Sequence, residues 1–329
     1  MVRFATIGTS KITTWLLEAA AFCKDFHLEA VYSRSKEKGT AFASKYGVSK
    51  VYTSLEDLAN NPDIDAVYIA SPNSAHAEQA IYLLNAGKHV LCEKSMGANQ
   101  KQVQAMFEAA EKNHVLLMEA VRPLHDPGYH EIRNSLSKLG QIRRAHFQFS
   151  QYSSRYDSFL LGEHHNIFDV NCAAGALMDI GVYCVQPFLD LFGIPKKVHA
   201  SSVLLRGGID GIGTILTEYD DMIGEILYSK ITASNTPSEI QGEKGTMKFN
   251  TISTPHEISI TYNDGTEELL EVNYLPTNNM IYELEDFIQA IEQNHNLDRY
   301  KYISIESSKL MDEVRKQCGI IFPTDHSDN

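Results

Sequence analysis

Basic side chains are scarce in this 329-residue chain, where 29 Lys and Arg stand against 42 Asp and Glu and leave a net charge of −13. A surface of that sign repels nucleic-acid phosphates and anionic lipid, so neither nucleic acid nor membrane is expected as a partner. Cysteine is sparse as well. The five (Cys23, Cys92, Cys172, Cys184, Cys318) are odd in number, widely spaced and form no CxxC. That excludes a disulfide framework and a thiolate metal site, and suggests a reducing, cytoplasmic setting. No HxxxH occurs, and the neighbours His164 and His165 share no face of a helix or strand, so no metal is expected. Long apolar runs are missing too; none is read as approaching the roughly 18 residues of a spanning helix. Residues 1–7 enter a strand at once, leaving no room for a signal peptide.

What is present suits a globular protein of about two domains, with 43% hydrophobic and 22% charged residues. Residues 1–122 alternate strand and helix signals. Short apolar runs at 1–7, 28–32, around 51, 66–70, 89–92 and 115–118 are separated by helical patterns: one with Ile12, Trp15, Leu16 and Ala19 on a face, then 36–46, a short one opened at Ser54, 74–86 and 100–113. Ser54-Leu55-Glu56-Asp57 reads as a capping box, and 66–70 is apolar throughout, as a strand buried on both faces of a parallel sheet would be. Six strands joined by helices predict right-handed crossovers and a doubly wound Rossmann sheet, an α/β fold. Beyond Pro123 the period changes. A helix at 129–139 precedes a two-residue alternation from Ala145 to Phe149, then strands at 198–205, 212–219, 224–231, 246–249, 257–262 and 267–272. Helical patterns lie at 175–192, 280–293 and 306–318. Residues 123–329 are therefore expected to form an α+β domain with a large, mostly antiparallel open sheet.

The first strand–helix junction reads Gly8-Thr9-Ser10-Lys11-Ile12-Thr13. A dinucleotide fingerprint has glycines at the places of Gly8, Ser10 and Thr13, and only the first is present. An ordinary turn shares these letters, but a first βα junction also sets a helix N-terminus against a phosphate. The second strand ends in Tyr32-Ser33-Arg34-Ser35 with no acid, and Lys36 and Lys38 follow. An acid there binds ribose hydroxyls and an arginine accommodates a 2′-phosphate, so NADP is favoured over NAD, the plain alternative being a solvated loop with a stray arginine. Ser71-Pro72-Asn73-Ser74-Ala75-His76 follows the buried strand where open α/β sheets bind ligands. Asn73 is equally plausible as a helix N-cap, and His76 as a surface histidine. Glu93 and Lys94 end the next apolar strand, where a lysine can donate to a substrate oxygen; the plain alternative is a strand-end surface lysine. Asp179 and Tyr183 lie four apart and share one helix face with Gln186; the plain alternative is a polar stripe toward solvent.

Together these pieces resemble the glucose–fructose oxidoreductase/inositol dehydrogenase family (Gfo/Idh/MocA) along essentially the whole chain. The markers are the Gly8 loop, Ser71-Pro72-Asn73 with His76, Ala86-Gly87-Lys88-His89-Val90 leading to Glu93-Lys94, Gly175 through Tyr183, and Gly242-Glu243-Lys244-Gly245-Thr246. Glu119-Ala120 and Tyr183, in place of a histidine, look closest to the dihydrodiol/xylose dehydrogenase branch. The resemblance implies hydride transfer between NAD(P) and a carbinol carbon of a sugar, polyol or trans-diol. It implies catalytic roles for Lys94, Asp179 and Tyr183. Cofactor contacts would come from Gly8, Thr9, Ser10, Lys11, Ile12, Ser33, Arg34, Ser71, Pro72, Asn73, His76, Glu93 and Lys94. A homodimer or larger assembly through the C-terminal sheet is also implied. Substrate selectivity is expected in Arg122, His125, Glu163, His164 and Asn166. Two departures stand out: the missing glycines, and Ser95 where the family has a proline. The Lys94–Ser95 peptide is nonetheless expected to be cis. A non-catalytic dinucleotide or sugar sensor on the same scaffold is the alternative function.

Overall fold

A computed structural model describes residues 1–293 and 295–326. The chain begins β1 (Val2–Ile7), α1 (Lys11–Ala20), β2 (Phe26–Tyr32), α2 (Lys36–Ala43), β3 (Lys50–Tyr52), α3 (Leu55–Ala59), β4 (Ala66–Ile69), α4 (Asn73–Asn85), β5 (His89–Glu93), α5 (Gln100–Lys112) and β6 (Leu117–Ala120). It continues α6 (Pro127–Ser135), β7 (Ile142–Ser150), α7 (Tyr156–Leu160), α8 (Val182–Phe192), β8 (Lys197–Leu204), β9 (Asp210–Glu218), β10 (Ile223–Ser229), β11 (Ser238–Gly242), β12 (Gly245–Asn250), β13 (His256–Tyr262), β14 (Glu267–Leu270), α9 (Met280–Gln293) and α10 (Asp298–Cys318). Two compact units result. The first comprises Met1–Ala120 and Leu275–Ile305, and the second Val121–Tyr274 with the chain from Glu306 onward.

In the first unit six parallel strands lie in the order β3-β2-β1-β4-β5-β6. The order reverses between β1 and β4, which is where ligands bind in such sheets, outside the carboxyl ends of the strands. Neighbouring β1 side chains alternate between the two faces. Ala5 and Ile7 join Ala80 and Leu84 of α4 and Met106 of α5, whereas Phe4 joins Leu16 of α1 and Leu284 and Phe287 of α9. Each such buried Leu or Phe contributes about 1.5–3 kcal/mol. The sequence pattern places a boundary at 122/123 and α9 beyond it, yet α9 packs on β1 in the first unit, because its face of Met280, Ile281, Leu284, Phe287 and Ile288 is fully buried there. β6 begins two residues later than the apolar run at 115–118 suggests.

Ser54 caps α3, its Oγ accepting the amide of Asp57 at 3.2 Å. Ser54→Ala is expected to cost about 0.5–1 kcal/mol in urea unfolding, and Ser54→Gly less; equal stability of wild type and Ala variant would show that the cap contributes nothing.

The second unit is built on an eight-stranded sheet ordered β14-β13-β12-β11-β7-β10-β9-β8, antiparallel except for the β7–β10 pair. α8 covers one face, with Phe188 edge-on to Phe147 at 5.2 Å between centroids. Three features depart from the sequence reading. β11 is an additional strand, missed because Ile240 is its single apolar residue. α10 starts at Asp298 rather than 306, its helical period concealed by the buried serines Ser304, Ser307 and Ser308. The stretch Val170–Phe192 is long and apolar enough to cross a membrane by length and composition; 89% of its most apolar window is buried inside the protein, so its apolarity serves the core.

Candidate active site

In the first unit the candidate residues gather at the carboxyl ends of β1, β2, β4 and β5. Gly8 follows β1 with φ +106°, and a Cβ there would stand 2.6 Å from the carbonyl oxygen of Ala70 at the end of β4. Only glycine combines that φ with that approach. The chain then enters α1 through an extended Ser10 that makes no side-chain cap, and the first turn carries no acid. The helix thus begins with open amides and unopposed positive potential, which suits a pyrophosphate and fits a dinucleotide despite the missing glycines. Thr9 lies in this turn, Ile12 is half-buried, and the Lys11 ammonium sits 4.7 Å from the centre of the Trp15 ring. At the β2 tip the Ser33 amide bonds to Tyr52 O, Ser35 caps α2, and Arg34 stands exposed.

α4 begins at Asn73 with Pro72 in the capping position, so Asn73 is the first helical residue and not the cap. Ser71 Oγ donates to Gln79 Oε1 at 2.7 Å. His76 is buried, not on the surface. Its Nε2 lies 2.8 Å from Ser71 O and its Nδ1 3.1 Å from Ser95 O. Both ring nitrogens face backbone carbonyl oxygens and the neutral ring donates to one of the two, so His76 serves a ligand through the two loops that flank it. Burial, aided by the Lys94 charge, pushes its pKa down to about 4 against the pull of the carbonyls, so the ring is neutral at pH 7. Glu93 is buried and accepts the Tyr68 hydroxyl at 2.6 Å; Glu119 accepts the Met96 amide at 2.9 Å. Between these anchored residues Lys94 is half-buried, and its peptide bond to Ser95 is cis, as expected. Cys92 and Cys184 are buried core residues whose thiols burial pushes up, which keeps them uncharged.

In the second unit Asp179 and Tyr183 come from one segment, a π turn at Leu177–Gly181 that runs directly into α8. Such turns are rare and recur at functional sites. The solvent-stripe alternative fails, since Tyr183 is 5% and Gln186 1% exposed. The Tyr183 hydroxyl accepts Arg122 Nη2 at 3.0 Å, and its ring meets Phe149 edge-on at 5.7 Å. Asp179 pairs with Lys230, a buried lysine just past β10. Lys230 escaped the sequence reading, although a lysine closing an apolar strand is the same signal that singled out Lys94. Of the selectivity candidates, His125 is buried and His164 pairs with Asp169 at 2.6 Å; the adjacent His165 meets Ser158 Oγ at 2.6 Å. Among the described residues no three His, Cys, Asp or Glu gather as a metal site.

Residues 2–121 match the model of an oxidoreductase family with an NAD-binding Rossmann fold, and residues 135–248 match the C-terminal domain model of the same family. The chain is also 44% identical over 329 residues to scyllo-inositol 2-dehydrogenase (NADP(+)) IolU of Bacillus subtilis, covering 99% of this chain and all of that protein. It belongs to the Gfo/Idh/MocA family. Within the family it is 31% identical over 318 residues to trans-1,2-dihydrobenzene-1,2-diol dehydrogenase of Xenopus laevis, covering 91% of this chain and 92% of that one. In fold it is similar to KijD10, a 3-ketoreductase from Actinomadura kijaniata solved with NADP and TDP-benzene, with a TM-score of 0.85 at 24% identity over 96% of this chain and 98% of that one. The chain is thus an oxidoreductase whose first unit carries the family's dinucleotide-binding fold.

Proposed function

We propose that this protein is an NADP-preferring dehydrogenase that moves a hydride between the nicotinamide and a carbinol carbon of a cyclic polyol, a sugar or a trans-diol. The observation that carries the reading is the pairing of a buried phenol, Tyr183, with a carboxylate, Asp179, on one turn backed by Arg122 and Lys230. Oxidation of a carbinol removes a hydride from carbon and a proton from oxygen. When bound, NADP+ would take up that hydride, and NADPH would supply it in the reverse direction. Lys94 donates a hydrogen bond to the reacting oxygen, Tyr183 accepts or returns its proton, and Asp179 accepts from the neighbouring hydroxyl. The relatives acting on scyllo-inositol and dihydrodiols support this substrate class.

In this reading the first unit is the dinucleotide-binding domain and the second the substrate-binding and oligomerisation domain. Gly8, Thr9, Ser10, Lys11 and Ile12 hold the pyrophosphate. Ser33 and Arg34 meet the 2′-phosphate, and Ser71, Pro72, Asn73 and Glu93 line the nicotinamide half, with His76 fixing the Ser71 and Ser95 loops. The protein works in the cytoplasm as a homodimer or larger assembly through the outward sheet face, where Val203, Leu216 and Ile223 stand exposed.

The test is reduction of NADP and of NAD in the presence of inositols, aldoses and trans-diols, read at the reduced nicotinamide. Turnover with NADP on one of these classes is expected, and silence across all of them would overturn the reading. Arg34→Ala should weaken NADPH binding about 10-fold, the worth of one charged hydrogen bond at an exposed site, while leaving NADH binding unchanged by fluorescence titration. Equal losses for both cofactors would remove Arg34 from 2′-phosphate recognition.

A further inference from the structure

Asp210, the first residue of β9, is a carboxylate with no exposure to solvent and no part in the chemistry above. Its Oδ2 accepts the amide of Leu177 at 2.7 Å, the first residue of the π turn that carries Asp179. Gly175, just before that turn, has φ +107°, and a Cβ on it would stand 2.0 Å from Asp210 Oδ1. The chain thus enters the turn over the carboxylate itself, and a negative charge at the start of a helical segment is favourable. Register brings a second link. β9 and β10 are antiparallel with Ser229 opposite Ile212, and the Lys230 amide donates to Gly211 O at 2.8 Å, beside Asp210. The Lys230 ammonium, which pairs with Asp179, also acts electrostatically on Asp210.

We propose that Asp210 is a positioning residue that holds the Asp179–Tyr183 turn from beneath and, through the shared cation Lys230, sets the direction and charge balance of Asp179. The inference rests on the reading of Asp179 as a substrate-binding group.

The ionisation of Asp210 makes this testable. Burial raises its pKa to about 6, against the pull of the Leu177, Asp210 and Ala176 amides and of Lys230. Tyr228 of β10 and Cys318 of α10 also feel its charge. Above pH 6 the carboxylate answers the turn and Lys230; below it the charge is gone and Lys230 faces Asp179 alone. The sign for stability is opposite to that for function. A carboxyl whose folded pKa exceeds its unfolded value of 3.8 binds a proton more readily when folded, so its contribution to stability falls as pH rises from about 4 to 6.

The experiment uses the full chain with 13C-labelled aspartate carboxyls, Asp179 being assigned by its loss in Asp179→Asn. In wild type the Asp179 resonance should show an inflection near pH 6, and in Asp210→Asn it should show none. Asp210→Asn should melt at pH 7.5 no lower than wild type, keep its NADPH affinity, and lose about 10- to 100-fold in kcat, the scale of a small misplacement of reacting groups. Lys230→Gln tests the link from the other side, removing the inflection from Asp179 while leaving it on Asp210. An Asp179 resonance that titrates identically in wild type and both variants would overturn the proposal, as would wild-type kcat in Asp210→Asn. If the wild type turns over no carbinol at all, the proposed activity fails, while the carboxyl resonances still decide whether Asp210 governs Asp179.

Discussion

Lys94→Ala is expected to lower kcat by about 10²–10⁴-fold, the range for removing a positioned proton-transfer or polarising group, with the affinity for NADPH changed only a few-fold. The lysine stands half-buried at the end of β5, between a carboxylate fixed by Tyr68 and a loop fixed by His76 and Glu119, so truncation leaves its neighbours in place. The nicotinamide-reduction assay and a fluorescence titration with NADPH separate the two quantities. A deep loss of turnover with retained binding is the outcome for an enzyme. A variant that binds NADPH differently and shows no lost turnover, because the wild type has none, is the outcome for a sensor on the same scaffold.

A comparable effect, on stability, is expected at the other end of the chain. Phe287→Ala should destabilise the protein by about 3–5 kcal/mol. Phe287 is fully buried in α9, its ring 6.2 Å from that of Phe4 on β1, in a cluster with Leu16, Leu284 and Ile288. Its neighbours are already packed in that cluster and refill the space only in part, so a cavity term adds to the lost burial. Equilibrium urea unfolding reads the loss. A cost below about 0.5 kcal/mol, the surface-like range, would mean that α9 is an accessory helix and that the first unit holds together without it.

That α9 belongs to the first unit is the kind of fact the sequence conceals. Its amphipathic period is plain, but nothing in the period says which sheet the face will cover. The strands of the first unit are legible chiefly through short apolar runs such as Ala66–Ile69, which is apolar throughout. β11 is not, since Ser238, Glu239, Gln241 and Gly242 carry no alternation and the strand exists through pairing with β7 and β12. The site divides the same way. Gly8, the Ser71–His76 loop, Lys94 and the Asp179–Tyr183 spacing are local signals and were readable. Lys230 carries a local signal too, a lysine closing an apolar strand, but its tie to Asp210 comes from the register of β9 on β10, which no single stretch of letters encodes. His76 was readable as a site residue but not in its role, because only burial shows both ring nitrogens turned to backbone.

The return of Leu275–Ile305 to the first unit has a consequence for biogenesis. A ribosome releases β1 to β6 first, but the helix that seals their Phe4 face is made only after the whole eight-stranded sheet. At roughly 5–20 residues per second, the interval is on the order of 10–40 seconds. During it, Phe4, Leu16 and Met118 lack their α9 partners. The nascent first unit is therefore a natural client for chaperones, and a fragment ending near residue 120 would be poorly soluble even though it contains every strand of its sheet.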